Sequence, residues 1–141
     1  MTSRREGRRT AIDVLYQADL TGTDPSLVLT EWLEAGREIS PFTTELVAGV
    51  QEHLPGIDLL LEEHSEGWTV ARMTALDRTI LRLAVHELRH RTDVPPSVAI
   101  SEAVEAATDL SSEGSPRFVN GILGKIASEM RPAAAEDPGV A

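Results

Sequence analysis

A chain of 141 residues with 41% apolar side chains can bury about two thirds of its unfolded surface in one domain, and with only five aromatic residues its core must be Leu, Val, Ile and Ala. Zero cysteines exclude a disulfide framework, a thiolate nucleophile and Cys-ligated zinc or iron–sulfur centres. The formal net charge of -10 opposes an evenly spread contact with a polyanion, yet residues 1–9 hold four of the thirteen positive side chains against Glu6 alone.

That local field stands apart from the acidic body because salt screens charge over about 8 Å. No apolar run approaches the roughly 18 residues of a membrane span, and Asp13, Gln17 and Asp19 interrupt any signal-peptide core in residues 1–20. The expectation is a soluble, cytoplasmic protein without a membrane partner.

Apolar positions recur at helical spacing nearly throughout, with no convincing period-two alternation, so the expected fold is all-α. From Arg5 to Leu20 the residues Ala11, Ile12, Leu15, Tyr16 and Ala18 form one stripe, stopped at Thr21-Gly22. Asp24-Pro25 supplies an N-cap and a first-turn proline for a second helix, which Leu27, Val28, Trp32 and Leu33 carry to Gly36. Ser40-Pro41 opens a third, with Phe42, Leu46, Val47 and Val50 inward. Pro55-Gly56 is expected to break the chain before a fourth helix, whose stripe is Ile57, Leu60 and Leu61, up to about His64.

Glu66-Gly67-Trp68-Thr69 reads as a turn, and Leu76 to Arg91 has an apolar arc wide enough for a central helix. Asp93-Val94-Pro95-Pro96 ends it, Val98 to Leu110 follows, and Ser115-Pro116 starts the last helix with Phe118, Val119, Ile122, Leu123 and Ile126 inward. Beyond Met130 the segment RPAAAEDPGVA has no apolar period. The expected organisation is about seven helices in a single domain over residues 1–131, with a disordered tail over 132–141.

Catalytic chemistry has little to stand on. His53, His64, His86 and His90 show no HExxH, and the i, i+4 pair His86/His90 lies among Glu87, Arg89 and Arg91, where a solvated basic helix end is the plainer reading than a metal pair. Phosphate-cradling glycine loops and a nucleophile elbow are missing from the sequence. Glu62-Glu63 and Glu102/Glu105 have the spacing of ordinary solvated helix faces. We expect no enzyme, no metal and no cofactor.

Two segments carry the functional signal. Arg4, Arg5, Arg8 and Arg9 fall at spacings 4/8 and 5/9, two adjacent columns of planar, bidentate donors suited to phosphate. Cations at a helix N-terminus oppose the macrodipole, so the placement points to an external anion or to a head that never becomes helical. Charge alone leaves RNA or DNA, a solvated head, and a membrane or protein partner open. In SPRFVNG, Arg117 beside Phe118 offers a phosphate clamp next to a ring on which a base could stack. The alternative is Phe118 in the core and Gly121 as a helix contact, which would explain a glycine costing about 1 kcal/mol in a helix.

Together, RREGRRTAIDVLYQ, then LDRTILRLAVHEL with TDVPPSVAISEAVEAA, and SPRFVNGILGKI resemble the NusB family of transcription antitermination factors from about Arg4 to Met130. The resemblance implies two perpendicular small helical bundles without catalytic activity. It also implies binding of boxA RNA in nascent ribosomal RNA together with NusE, a small-subunit ribosomal protein, within the antitermination complex on RNA polymerase.

By the same resemblance Arg4, Arg5 and Arg8 fall in the RNA-binding arginine motif, beside Arg9, and Tyr16 matches the tyrosine of an LY pair. Arg117 and Phe118 match the residues bordering the RNA, and Asp77 matches an acidic position facing NusE. Glu6 within the arginine run, Gly114, Ser101 and Thr108 depart from the family pattern and imply weaker or more NusE-dependent binding. A NusB-like domain of an RNA cytosine methyltransferase is disfavoured, since such enzymes continue into a cofactor-binding domain. A protein-only adaptor, or a homodimer with RNA binding weakened or masked, stays as the alternative.

Overall fold

A computed structural model describes the backbone from Ser3 to Val140 and the side chains from Ser3 to Met130. The tail expectation for 132–141 falls on residues whose side chains lie outside the described ones. Six α-helices are present, α1 (Arg4–Thr21), α2 (Pro25–Glu34), α3 (Pro41–His64), α4 (Ala75–His90), α5 (Pro96–Leu110) and α6 (Ser115–Val140), with a 3-10 turn at Val70–Arg72 and no strand among the described residues. The fold is all-α, as the hydrophobic period requires.

The difference from seven helices lies in α3. Pro55 does not break it, and the third and fourth expected helices are one. Internal proline removes one backbone hydrogen bond, at roughly 3 kcal/mol. Here Leu46, Val47 and Val50 before Pro55, and Ile57 and Leu61 after it, are all buried along one stripe, while Pro55 and Gly56 face solvent. Burying Ile57 and Leu61 contributes about 1.5–3 kcal/mol each, so continuity of the buried face outweighs the local break.

The basic head is helical because of a capping box. Ser3 Oγ accepts from the Glu6 backbone N–H at 3.1 Å, and Glu6 Oε1 accepts from the Ser3 N–H at 3.0 Å. Glu6, which looks like an interruption in the arginine run, thus satisfies the first turn and offsets the cations there.

Helices α1, α2 and α3 pack on one another, as do α4, α5 and α6, and α4 also lies against α1 and α3. It buries Ile80, Leu81, Leu83, Ala84 and Val85, and with them the polar His86 and Glu87. The α1–α3 contact is close at Gly7, where an added methyl would sit 3.1 Å from Phe42 Cδ2 and 3.2 Å from Thr43 Oγ1. Thr43 Oγ1 uses that space to donate to the Gly7 carbonyl at 2.8 Å, which fixes the arginine segment against α3.

Candidate nucleic-acid interface

All four N-terminal arginines are engaged, in two different ways. Arg4 Nη2 lies 2.7 Å from Asp93 Oδ2, and Arg9 Nη2 lies 2.9 Å from Asp109 Oδ2. Arg5 pairs with Glu105 and reaches Glu102 at 3.7 Å. These pairs are at least partly solvent-exposed. Arg8 instead turns inward: its residue exposure is 6%, and its Nε donates to both carboxylate oxygens of Glu87 at 2.9 and 3.0 Å, with Glu87 only 2% exposed. The reading of Arg8 as a fourth outward guanidinium is therefore corrected, because its column runs into the α1–α4 contact.

Phe42 from α3 gathers the cations. The guanidinium carbons of Arg4, Arg8 and Arg91 lie 4.5, 5.4 and 5.1 Å from its ring centroid. Arg91 also donates to Asp93 at 3.0 and 3.1 Å and to Glu45 at 2.7 Å. Hydrogen bonds from Arg91 and Arg4 hold the Asp93 carboxyl well below the usual carboxylate range, so it stays anionic.

The second segment forms a groove of about 240 Å³ lined by His64, Trp68, Arg117, Phe118, Gly121 and Lys125, among others. Arg117 is exposed and Phe118 half-buried. The Phe118 ring meets Trp68 edge-on with centroids 6.1 Å apart, and Arg72 lies 5.0 Å from the Trp68 centroid on a face of that ring. An added methyl at Gly121 would meet nothing within 4 Å, so the helix-contact explanation for this glycine is replaced by open space over the groove. Lys125 is paired with Glu66 at the rim.

Asp77, expected at a partner surface, is 8% exposed; its Oδ1 accepts from Ser111 Oγ at 2.7 Å, and Ser111 in turn meets Ser115 Oγ at 3.0 Å. It ties the start of α4 to the α5–α6 turn. Tyr16 is half-buried on α1, two turns beyond Arg9 on nearly the same side. His86 is not at a solvated helix end: it is 4% exposed, and its ring occupies the space left by the missing side chain of Gly49, where an added methyl would overlap it. His53 and His90 stack beside it with centroids 3.7 Å apart.

Sequence reasoning missed Phe42, Trp68 and Lys125, and read Glu102 and Glu105 as bland surface. A signal was present for the acids: Glu102, Glu105 and Asp109 are spaced i, i+3, i+7, one face of α5.

Fold and site define a class: an all-helical binding module with a basic edge and an aromatic groove, and no cluster of metal-ligating side chains among the described residues. The NusB family model matches residues 5–128. A protein of Saccharopolyspora erythraea called transcription antitermination protein NusB is 51% identical over 135 residues, 90% of this chain and 88% of that one. The solved NusB of T. maritima is 35% identical with a TM-score of 0.82, covering 91% of this chain and 92% of its own. A crystal structure of antitermination factors NusB and NusE in complex with dsRNA contains a chain 28% identical, with a TM-score of 0.79, over 89% of this chain and 96% of that one. The chain belongs to the NusB family of non-enzymatic transcription antitermination factors.

Proposed function

We propose that this protein binds boxA RNA of nascent ribosomal transcripts together with NusE, and that the pair helps assemble the antitermination complex on RNA polymerase in the cytoplasm. The observation that carries this reading is the exposed arginine edge of α1 in a chain similar to a factor solved with both NusE and RNA. Arg4, Arg5 and Arg9 hold phosphates, and Arg8 keeps α1 in register through Glu87. Tyr16, Arg117 and Phe118 contact nucleotides. The α4 start organised by Asp77 docks NusE, with Asp77 acting through the hydrogen bond it accepts from Ser111.

Three phosphate contacts on a single strand give a log affinity against log salt slope of about -2. Reversing Arg4, Arg5 and Arg9 to Glu should weaken boxA binding on the order of 100-fold, from about 1 kcal/mol per net contact, with helicity intact by circular dichroism. Unchanged affinity in that variant, with NusE present, would remove the arginine edge from the RNA site. A second reading is a protein-only adaptor, or a homodimer that masks the site, and the ion pairing of all four arginines favours it. It predicts NusE binding with no gain on adding boxA RNA.

A further inference from the structure

Trp68 is 45% exposed in the turn between α3 and α4, an unusual place for the largest apolar side chain. Its position is not loose. The Ser65 hydroxyl donates to the Trp68 carbonyl, the Trp68 N–H reaches the Ser65 carbonyl at 3.3 Å, and the Phe118 ring packs nearly perpendicular to the indole. Arg72 covers part of the indole at 5.0 Å, and Arg117 and Lys125 line the same groove. Gly121, directly beside them, leaves the groove open where any side chain would narrow it.

A flat aromatic surface, fixed at its backbone, braced by Phe118 and flanked by guanidinium groups, matches an unpaired nucleobase with its phosphate. A protein partner would be met better by aliphatic side chains, and the groove walls carry few of these. We propose that Trp68, braced by the nearly perpendicular ring of Phe118, is a base-stacking platform that selects unpaired nucleotides. The proposal rests on the RNA-binding reading and adds a residue and a selectivity to it. A base inside a duplex already has both faces covered by its neighbours, so only a single-stranded segment can use this platform.

The two tryptophans make the test direct, because Trp32 sits elsewhere, under Arg37 at 3.8 Å with its indole N–H donating to Gln17 at 3.2 Å. W32F leaves Trp68 as the sole emitter, and W68A or W68F leaves Trp32. Each is titrated with single-stranded boxA RNA and with the same sequence annealed to its complement, following tryptophan emission and the anisotropy of labelled RNA. The expected results are strong quenching in W32F with the single strand and none with the duplex. Emission from W68F should stay constant, single-strand affinity should fall about 10-fold in W68A, and W68F should recover most of it. Binding of the single strand by W32F with unchanged emission would overturn the role of Trp68 while the RNA reading stands. Equal quenching by the duplex would overturn the selectivity, and failure of the unaltered protein to bind either RNA even with NusE added would overturn both readings.

Discussion

Arg8 and Arg9 are adjacent in sequence and opposite in environment. Arg9 reaches a carboxylate across solvent, whereas Arg8 is enclosed with Glu87 and makes a two-oxygen contact. An exposed pair contributes about 0–1 kcal/mol, but removing one member of a buried pair leaves an uncompensated charge at about 3–5 kcal/mol. Glu87→Gln should therefore lower the urea-unfolding free energy by about 3 kcal/mol, against less than about 1 kcal/mol for Arg9→Ala. A similar small loss in both variants would show that Arg8 is solvated. The spacing 4/8 and 5/9 was legible as two columns; which arginine turns inward was not, because that depends on where α4 places Glu87.

Between elements, the relation of α1 to α5 decides how the arginine edge behaves. Small side chains on α5, Ala99, Ala103 and Ala106, leave a gap beside α1 floored by Leu83 and Ala84 of α4, and the long arginines bridge it to Glu102, Glu105 and Asp109. These carboxylates hold the guanidinium groups to which the proposed RNA reading assigns phosphates, so on that reading RNA would have to displace them. Neutralising the row as E102Q/E105Q/D109N should raise boxA affinity about 10-fold, from a few tenths of a kcal/mol per exposed pair. The control E31Q/E34Q/E38Q makes the same charge change on exposed acids of α2 and the turn after it, and should do much less. Equal gains in both would assign the effect to overall charge. Helix α3 teaches a related lesson: Pro55 announces a break that the stripe from Leu46 to Leu61 overrides.

For the whole molecule, the α3–α4 interface makes stability depend on pH. Burial, with the positive charges of His90, His53 and Arg91 nearby, pushes the His86 imidazole down from 6.5 to about 4. The unfolded chain takes up this proton near 6.5 while the folded protein does not until about 4. Stability is therefore fully present above 6.5 and falls as the pH drops, by about 1.4 kcal/mol per unit at most. His64 works the other way, raised by its hydrogen bond to Glu129, and adds stability as the pH falls below its folded value. The buried His86 dominates because Glu129 is largely exposed. Urea midpoints measured at pH 7 and pH 5 should show a loss on the order of 2 kcal/mol, much reduced in His86→Phe. A pH-independent midpoint in the unaltered protein would mean that His86 is solvated.

The sequence by itself determined that the chain is helical, where the six described helices begin to within about two residues, and which residues bear the basic and aromatic signals, because hydrophobic period, caps and prolines are local properties. The stretches RREGRRTAIDVLYQ and SPRFVNGILGKI also sufficed for the family resemblance. Tertiary structure alone decided that Arg8 and Asp77 face inward, that Glu102, Glu105 and Asp109 meet the arginines, that Trp68 stands beside Phe118, and that His86 fills the space over Gly49. Each of these depends on pairs far apart in the chain. Burial, charge pairing and desolvation are set by whichever element packs opposite, and no local pattern carries that information.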